Sequence, residues 1–538
     1  MPALPPPSTG AKPTGDVPSR AMALAIGLGF LYGYDTGYIS GVKAMPFFIE
    51  TYGTLQDDGT RALSTGTDSL VTSILSAGTF LGALSAGSIL NLVGRRVGLA
   101  IALFLFAIGV ALQTAAHAVP MFAVGRVFAG LGVGGVSVAV PIYQSEISPA
   151  AWRGAIISCY HLVKQIAAGL LIAAVVVNSV KDINSAACWQ IPIGLQFVWF
   201  GILLVGCFIL PESPRWLAVK GKSEKSRRAL GRLFRLPADS ERVMEEYNHI
   251  AANIEHERSV GTVSYADLLW RSSESRLPLR VWTGCAIQAL QQLSGFYYGT
   301  QFFRDAGIKS PFLIQIATNI VFTFITPFGI LAVDCVGRRG LMIYGAGAQS
   351  VAQLVVAITG TIVGTGNPSA QKVIVAFTCI YLAHFGAIWG SYSWVICAEI
   401  IPNAARSKGT SLTTATNWLF NFGIGYATPY LVDSGPGKAG LGAKVFFIWA
   451  ACCVISTPFA YFFIPETKGL TLEQVDLLYR NSSIIKSNSY RRHLLAEGIN
   501  EDSPNAFTSA YSKDKPTGDI RHYETATGRA VDAEKDSV

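Results

Sequence analysis

Apolar runs of about 20 residues alternate with short polar loops along most of the chain, and each is long enough to cross a bilayer core of roughly 30 Å. Twelve such runs lie near 22–42, 70–90, 97–116, 120–143, 154–177, 191–210, 279–303, 312–333, 340–364, 371–398, 409–431 and 442–464. They are too long for alternating strands, and a backbone in lipid must pair its own polar groups, so the pattern predicts helices. The expected fold is an all-α membrane protein with twelve transmembrane helices. A polar stretch at 215–278 interrupts the pattern. Within it Val243, Met244, Tyr247, Ile250, Ala251 and Ile254 recur at helical spacing, which predicts short amphipathic helices under the membrane part. The first 20 residues are Pro-rich and polar, and those after about 480 are polar and poor in aromatics. Both read as disordered tails.

Composition agrees with a membrane protein. Half the residues (51%) are apolar, 14% are charged, and the mean hydropathy is +0.39. The 54 glycines suit close-packed membrane helices. Of nine cysteines, Cys159, Cys207, Cys285, Cys379, Cys452 and Cys453 sit inside apolar runs and read as small buried hydrophobes, not as a disulfide or metal set. Basic residues mark orientation. Arg95, Arg96, Arg153, the 215–278 stretch, Arg338, Arg339, Arg406 and Lys408 fall on one side, against Lys43, Arg61 and Lys181 on the other. The first side is therefore expected in the cytosol, with both termini. The net charge of +8 suits loops facing an anionic leaflet, and no folded basic module points to nucleic acid. The first apolar run has no cleavage site behind it and reads as a retained span.

The chain also repeats itself. Val93-Gly94-Arg95-Arg96 follows span 2 and Val336-Gly337-Arg338-Arg339 follows span 8. Glu146 and Arg153 after span 4 match Glu399 and Arg406 after span 10 at the same separation of seven. Pro211-Glu212-Ser213 closes span 6, and Pro465-Glu466-Thr467 closes span 12. Two pseudo-symmetric six-helix bundles follow, the architecture of transporters with a substrate site between the halves. The expected divisions are an N-tail at 1–20, a first bundle at 21–214, a cytosolic helical linker at 215–278, a second bundle at 279–465 and a C-tail at 466–538. Arg95, Arg96, Glu146 and Arg153, with Glu212 and Arg215, are expected to form one cytosolic salt-bridge cluster. Asp334, Arg338, Arg339, Glu399 and Arg406 are expected to form its counterpart. Such clusters can hold the cytosolic side shut and must break when it opens.

From about Gly27 to Leu472 the chain resembles the sugar porter branch of the major facilitator superfamily, and within it the fungal monosaccharide transporters. The resemblance rests on Gly33-Tyr34-Asp35-Thr36-Gly37, Pro141-Ile142-Tyr143-Gln144-Ser145-Glu146, Pro211 to Leu217, Gln291-Gln292-Leu293-Ser294-Gly295, Asn417-Trp418 and Pro465 to Leu470. It implies transport of a hexose such as glucose across the plasma membrane. No nucleophile–base pair, metal cluster or nucleotide loop suggests an enzyme, so no cofactor and no metal are expected.

A sugar offers hydroxyls around a ring with apolar faces, which calls for amides that donate and accept and for aromatic rings. Inside the spans stand Gln288, Gln291, Gln292, Asn319, Trp389, Trp394, Asn417, Trp418 and Asn421. Each amide could be interhelical glue instead. For Gln291, Gln292, Trp394 and Asn417 the resemblance implies contact with substrate. Three departures from the family pattern stand out. His161 occupies the position of a span-5 Gln, with Gln165 one turn later on the same face; either can take the sugar-binding role, and Lys164 lies beside them. The Asn that the family carries after Gly295 is lacking, and the segment Phe296-Tyr297-Tyr298-Gly299 is about one turn short, so that sugar ligand is either missing or replaced by a tyrosine hydroxyl such as that of Tyr297. The first Arg-rich loop opens with Asn91-Leu92 in place of an acid and a base, which weakens the first cluster.

Asp35 is the one acid deep in span 1. Ionised and alone at mid-bilayer it costs roughly 2.5–3.5 kcal/mol, so it needs a partner or a proton. Arg126 in span 4 is the evident partner, and the resemblance implies proton coupling through this pair. The expected partners are thus a small sugar, a proton and the lipid bilayer. A facilitative uniporter and a non-transporting sugar sensor share the same motifs and remain the alternatives.

Overall fold

The computed structural model describes residues 30–31, 33–55, 61–147, 168–260, 263–271, 275–294, 311–364, 367–402, 405–470 and 472–497. Each of the twelve spans is helical over its described residues. Span 1 is described over 30–42. Spans 2, 3 and 4 run Thr65–Val93, Arg95–Thr114 and Val119–Ile147. Span 5 is described over Ala168–Val180, and span 6 is split into Ala187–Gly194 and Gln196–Ile209. In the second half, spans 7, 8 and 9 run Leu277–Leu293, Pro311–Val336 and Arg338–Ile362. Span 10 joins Pro368–His384 to Gly390–Ile400 through a π-helical turn at Phe385–Trp389. Spans 11 and 12 run Arg406–Val432 and Val445–Phe463. Among the described residues, seven helices are long and apolar enough on their own to cross a membrane. Large apolar side chains such as Phe104, Phe208, Phe324 and Ile362 face outward, as a lipid solvent permits.

Small residues set how closely the helices approach. Gly78 and Gly82 of span 2 lie against backbone at Val127 and Leu131 of span 4, while Gly130 and Gly134 lie against Leu75 and Thr79. Neither helix leaves room there for a Cβ, which is the small-residue packing that drives association in lipid. Among the described residues the halves meet mainly where span 2 meets span 11 and where span 5 meets span 8, and span 4 also touches span 11. Span 2 lies along span 11, through Thr65 Oγ1 donating to Asp433 Oδ2 (2.8 Å), Ser76 Oγ to Asn421 Oδ1 (2.5 Å) and Asn91 Nδ2 to Ser407 Oγ (3.2 Å). Span 5 meets span 8, where Asn319 Nδ2 donates to the Leu170 carbonyl at 3.4 Å.

The linker carries helices at Pro214–Val219, Ser223–Phe234, Glu241–Val260 and Tyr265–Leu269. Val243 and Ile254 are buried, as their spacing predicts. The last helix starts with a capping box, and the Ser264 hydroxyl and amide hold the Asp267 carboxyl below its usual range. Two features depart from expectation. A two-residue antiparallel hairpin pairs Thr54–Leu55 with Arg61–Ala62 between spans 1 and 2. The tail expected to be disordered after about 480 carries a helix at Ser487–Glu497, following one at Leu472–Asn481. These two helices fold because they bury Leu477, Leu478, Tyr479 and Leu494 in the core of the second half, beside the start of span 7. Residues 1–20 lie outside the described residues.

Candidate functional site

Spans 7 and 11 place four amides in mutual contact, deep in the fold. Asn417 is the hub. Its Nδ2 donates to Gln288 Oε1 and Gln291 Oε1, each at 2.7 Å, and its Oδ1 accepts from Gln292 Nε2 at 2.8 Å. The i, i+4 spacing of Gln288 and Gln292 and the intervening Gln291 put all three on the face of span 7 turned to span 11. Asn421, one turn after Asn417, donates to Gln292 Oε1 at 3.1 Å and accepts from Ser76 of span 2. The network therefore crosses from the second half into the first. Gln291 Nε2 also donates to the Gly390 carbonyl at 2.7 Å, just past the π-helical turn of span 10. Gln288, Gln291, Gln292 and Asn417 are all buried.

The other candidates are spread more widely. Trp389 turns to span 9, donating Nε1–H to the Met342 carbonyl at 2.9 Å. Trp418 packs with the first-half core although it belongs to span 11. Trp394 is buried in the last part of span 10. Asn319 bridges spans 8 and 5 as described. His161, Gln165 and Tyr297 lie outside the described residues, as do Lys164 and Arg153.

Asp35 and Arg126 come together as expected, fully buried between spans 1 and 4. Arg126 Nη1 stands 3.8 Å from Asp35 Oδ1, and among the described residues neither carboxylate oxygen receives a hydrogen bond. The same Nη1 donates to Tyr38 Oη at 3.1 Å, and Tyr38 donates in turn to Gln113 Oε1 of span 3 at 2.9 Å.

The charge clusters recur in both halves. Arg95 clasps Glu146 through Nε (2.9 Å) and Nη2 (2.8 Å). Arg338 Nη2 reaches Glu399 Oε1 at 3.0 Å, and Thr467 Oγ1 donates to Glu399 Oε2 at 2.6 Å. Glu212 behaves differently from the ion-pair role expected of it. Its carboxylate accepts the backbone N–H groups of Arg95, Arg96 and Ser213 at 2.9–3.2 Å, capping the positive end of span 3. Glu466, which the sequence reading left out of the site, does the same for Arg338, Arg339 and Lys468 at 3.0–3.2 Å. Both caps need the preceding glycine: Gly94 has φ 99° and Gly337 φ 109°. Arg96 and Arg339 reach the carbonyls of Phe208 (3.0 Å) and Tyr461 (2.6 Å) instead of a carboxylate, because the caps engage backbone. Arg215 sits in the first turn after span 6 and Arg406 opens span 11, while the Asp334 side chain lies outside the described residues.

Three further groups were not foreseen. Asn91 links Arg95 to Ser407. Arg280 at the start of span 7 pairs with Asp476 at 2.6 Å and stacks over Tyr479 at 4.2 Å. Tyr38 and Gln113 join the Asp35 site. Only the helical spacing of Asp35 and Tyr38 carried a signal for the last of these.

The family described as sugar (and other) transporter matches residues 21–479. A major facilitator-type transporter, ecdD, of Aspergillus rugulosus is 45% identical over 84% of this chain and 85% of its own length. A probable glucose transporter, rco-3, of Neurospora crassa is 40% identical over 87% of this chain and 81% of its own. A high glucose sensor, RGT2, of Saccharomyces cerevisiae is 38% identical over 90% of this chain, which spans 64% of that longer protein. Among solved structures, the proton:xylose symporter XylE bound to 6-bromo-6-deoxy-D-glucose superposes with a TM-score of 0.72 at 24% identity, covering 86% of this chain and 99% of that one. At that identity the likeness is one of fold.

Proposed function

The chain belongs to the sugar transporter family of the major facilitator superfamily, and on that premise we propose that it carries a hexose such as glucose across the plasma membrane by alternating access, in symport with a proton. The observation that carries the reading is the amide cluster around Asn417, which reaches from spans 7 and 11 to Ser76 of span 2. A hexose hydroxyl donates and accepts, as a carboxamide does, so sugar can exchange for the contacts these amides make with one another at little net cost. Because the cluster straddles the halves, sugar bound there is held by both and senses their relative orientation. In this reading Gln288, Gln291, Gln292, Asn417 and Asn421 bind hydroxyls, and Trp394 offers an apolar face. Trp389 and Trp418 support the site by packing, and Asn319 joins the halves.

The proton enters through Asp35. Protonated, it releases Arg126 and favours the state open to the outside; deprotonated, it attracts Arg126 again and resets the cycle. Arg95–Glu146 and Arg338–Glu399 tie each half together on the cytosolic side and loosen when that side opens. The loop charges support cytosolic termini and linker, with bundles at 21–214 and 279–465. The relationship to XylE, a proton symporter by description, supports coupling. The resemblance to a glucose sensor supports a second reading, a receptor that binds the same sugar without moving it.

Uptake of labelled glucose in a transport-deficient host, challenged with a panel of monosaccharides and polyols, tests the proposal. Saturable uptake displaced best by hexoses is expected. No uptake at normal surface expression would overturn transport and favour the sensor.

A further inference from the structure

Asp35 and Arg126 form a triangle with Tyr38, not an isolated pair. Arg126 Nη1 is closer to Tyr38 Oη (3.1 Å) than to Asp35 Oδ1 (3.8 Å). The hydroxyl is not free to turn. Its proton is committed to Gln113 Oε1 at 2.9 Å, and the Gln113 amide is itself oriented by Nε2 donating to the Gly109 carbonyl at 3.2 Å. With its proton fixed, Tyr38 Oη presents a lone pair to the guanidinium, whose carbon also stands 5.9 Å from the Tyr38 ring centroid. Asp35, Tyr38, Gln113 and Arg126 are all within 1% of complete burial, so water does not supply the missing contacts.

From this we infer that Tyr38 is a positioning residue for the coupling pair: held by Gln113, its hydroxyl draws Arg126 off Asp35 and keeps the carboxylate available to a proton. The inference rests on the symport reading for its purpose but not for its test. A guanidinium–carboxylate pair in full contact sits at about 2.8 Å and gains charge-assisted hydrogen bonds. Drawing it out to 3.8 Å weakens the Coulomb attraction by about a quarter and removes those bonds. The ion pair then restrains protonation less than it would at contact. Without Tyr38 Oη, Arg126 has no competing acceptor and closes on Asp35.

The described surroundings add no rival charge. Span 1 contributes Tyr34, whose hydroxyl donates to the Pro192 carbonyl at 2.9 Å. Span 4 contributes Arg126. Span 3 contributes the neutral Gln113, and span 6 the buried, neutral Gln196 beside Tyr38. The described part of span 5, Ala168–Val180, holds no ionisable side chain.

The test is an infrared titration of the full-length protein in lipid, with the Asp35 carboxyl band identified by its loss in Asp35→Asn. Tyr38→Phe is expected to move the midpoint of that band to lower pH by about one unit, a tenfold change in proton affinity. Tyr38→Phe leaves Gln113 without its donor, so Tyr38→Phe/Gln113→Leu serves as a second variant that orphans no amide. It is expected to show the same displacement. A purely structural Tyr38 would change thermal stability and leave the midpoint in place. An unmoved midpoint in both variants, an upward displacement, or the absence of any titrating Asp35 band in the wild type would overturn the inference. If instead wild-type uptake proves insensitive to a protonophore, the symport reading falls while the titration still decides the role of Tyr38.

Discussion

Asn91 at the end of span 2 donates Nδ2–H to Ser407 Oγ in the first turn of span 11, 3.2 Å away and in the other half of the molecule. Its Oδ1 accepts from Arg95 Nη1 at 3.5 Å, and its carbonyl accepts from Trp216 Nε1 at 3.1 Å. The Arg95–Glu146 pair is therefore linked to the opposite half through an amide. The loss of the family's acid at this position does not leave Arg95 without a neighbour there.

Asn91→Ala removes that link without disturbing the Arg95–Glu146 clasp. It should favour opening between spans 2 and 11 at the end that carries the Arg95 cluster, the side proposed to face the cytosol. A cysteine introduced by Ser411→Cys, which is buried against Gly87, would report it. Thiol labelling from the cytosolic side is expected to quicken several-fold in the Asn91→Ala background, and an unchanged rate would mean that the contact bears no load.

Gly94→Ala and Gly337→Ala should each destabilise the protein. The backbone at both lies at positive φ, which costs a residue with a Cβ about 1–3 kcal/mol. The new methyl would also press on Glu212 Oε2 (2.6 Å) or Glu466 Oε2 (2.5 Å) and dislodge the cap of span 3 or span 9. Thermal unfolding in detergent should show a clear drop for both. Gly347→Ala is the control, since nothing lies within 4 Å of its Cβ position.

Much of this was legible in the sequence. Run length and the order of three matched motifs gave the twelve-span, two-half architecture, because lipid allows a long apolar segment only one backbone solution. The meeting of Asp35 with Arg126 followed from the cost of leaving either charge alone. Other features depend on partners that one chain segment does not reveal. Trp389 and Trp418 look equivalent as intramembrane indoles, yet one turns to Met342 and the other into the first-half core. Glu212 looks like an ion-pair acid, but the turn at Gly94 brings free amides to it first, as the turn at Gly337 does for Glu466. The C-terminal helices were missed because their few apolar residues, Leu478, Tyr479 and Leu494 among them, sit in a polar stretch with no partner surface visible from sequence.

Those helices depend on a buried pair. Arg280 is 1% exposed and Asp476 8%, and Arg480 adds a second contact to Asp476 at 2.6 Å. Asp476→Leu strands the buried Arg280 and should cost about 3–5 kcal/mol, whereas Arg280→Met leaves Asp476 paired with Arg480 and should cost less. The double variant should recover much of that loss. A thermal-shift double-mutant cycle reads the coupling directly, and additive losses would contradict it.

Asn417→Leu removes the hub of the amide cluster. If Asn417 exchanges its amide contacts for two hydrogen bonds to sugar, at about 0.5–1.5 kcal/mol each, their loss lowers sugar affinity by roughly fivefold or more. The KM for glucose should rise accordingly, with a smaller effect for Asn319→Leu at the span 5–8 contact. An unchanged KM in Asn417→Leu would remove the cluster from the binding site.

Symport requires that sugar and proton cross together. It is tested most directly by labelled glucose uptake into proteoliposomes of the purified protein under an imposed proton gradient. Wild type should accumulate sugar above the outside concentration and lose the excess when a protonophore is added, whereas Asp35→Asn should exchange sugar without accumulating it. Uptake that stops at equilibrium in the wild type with or without the gradient would contradict the account.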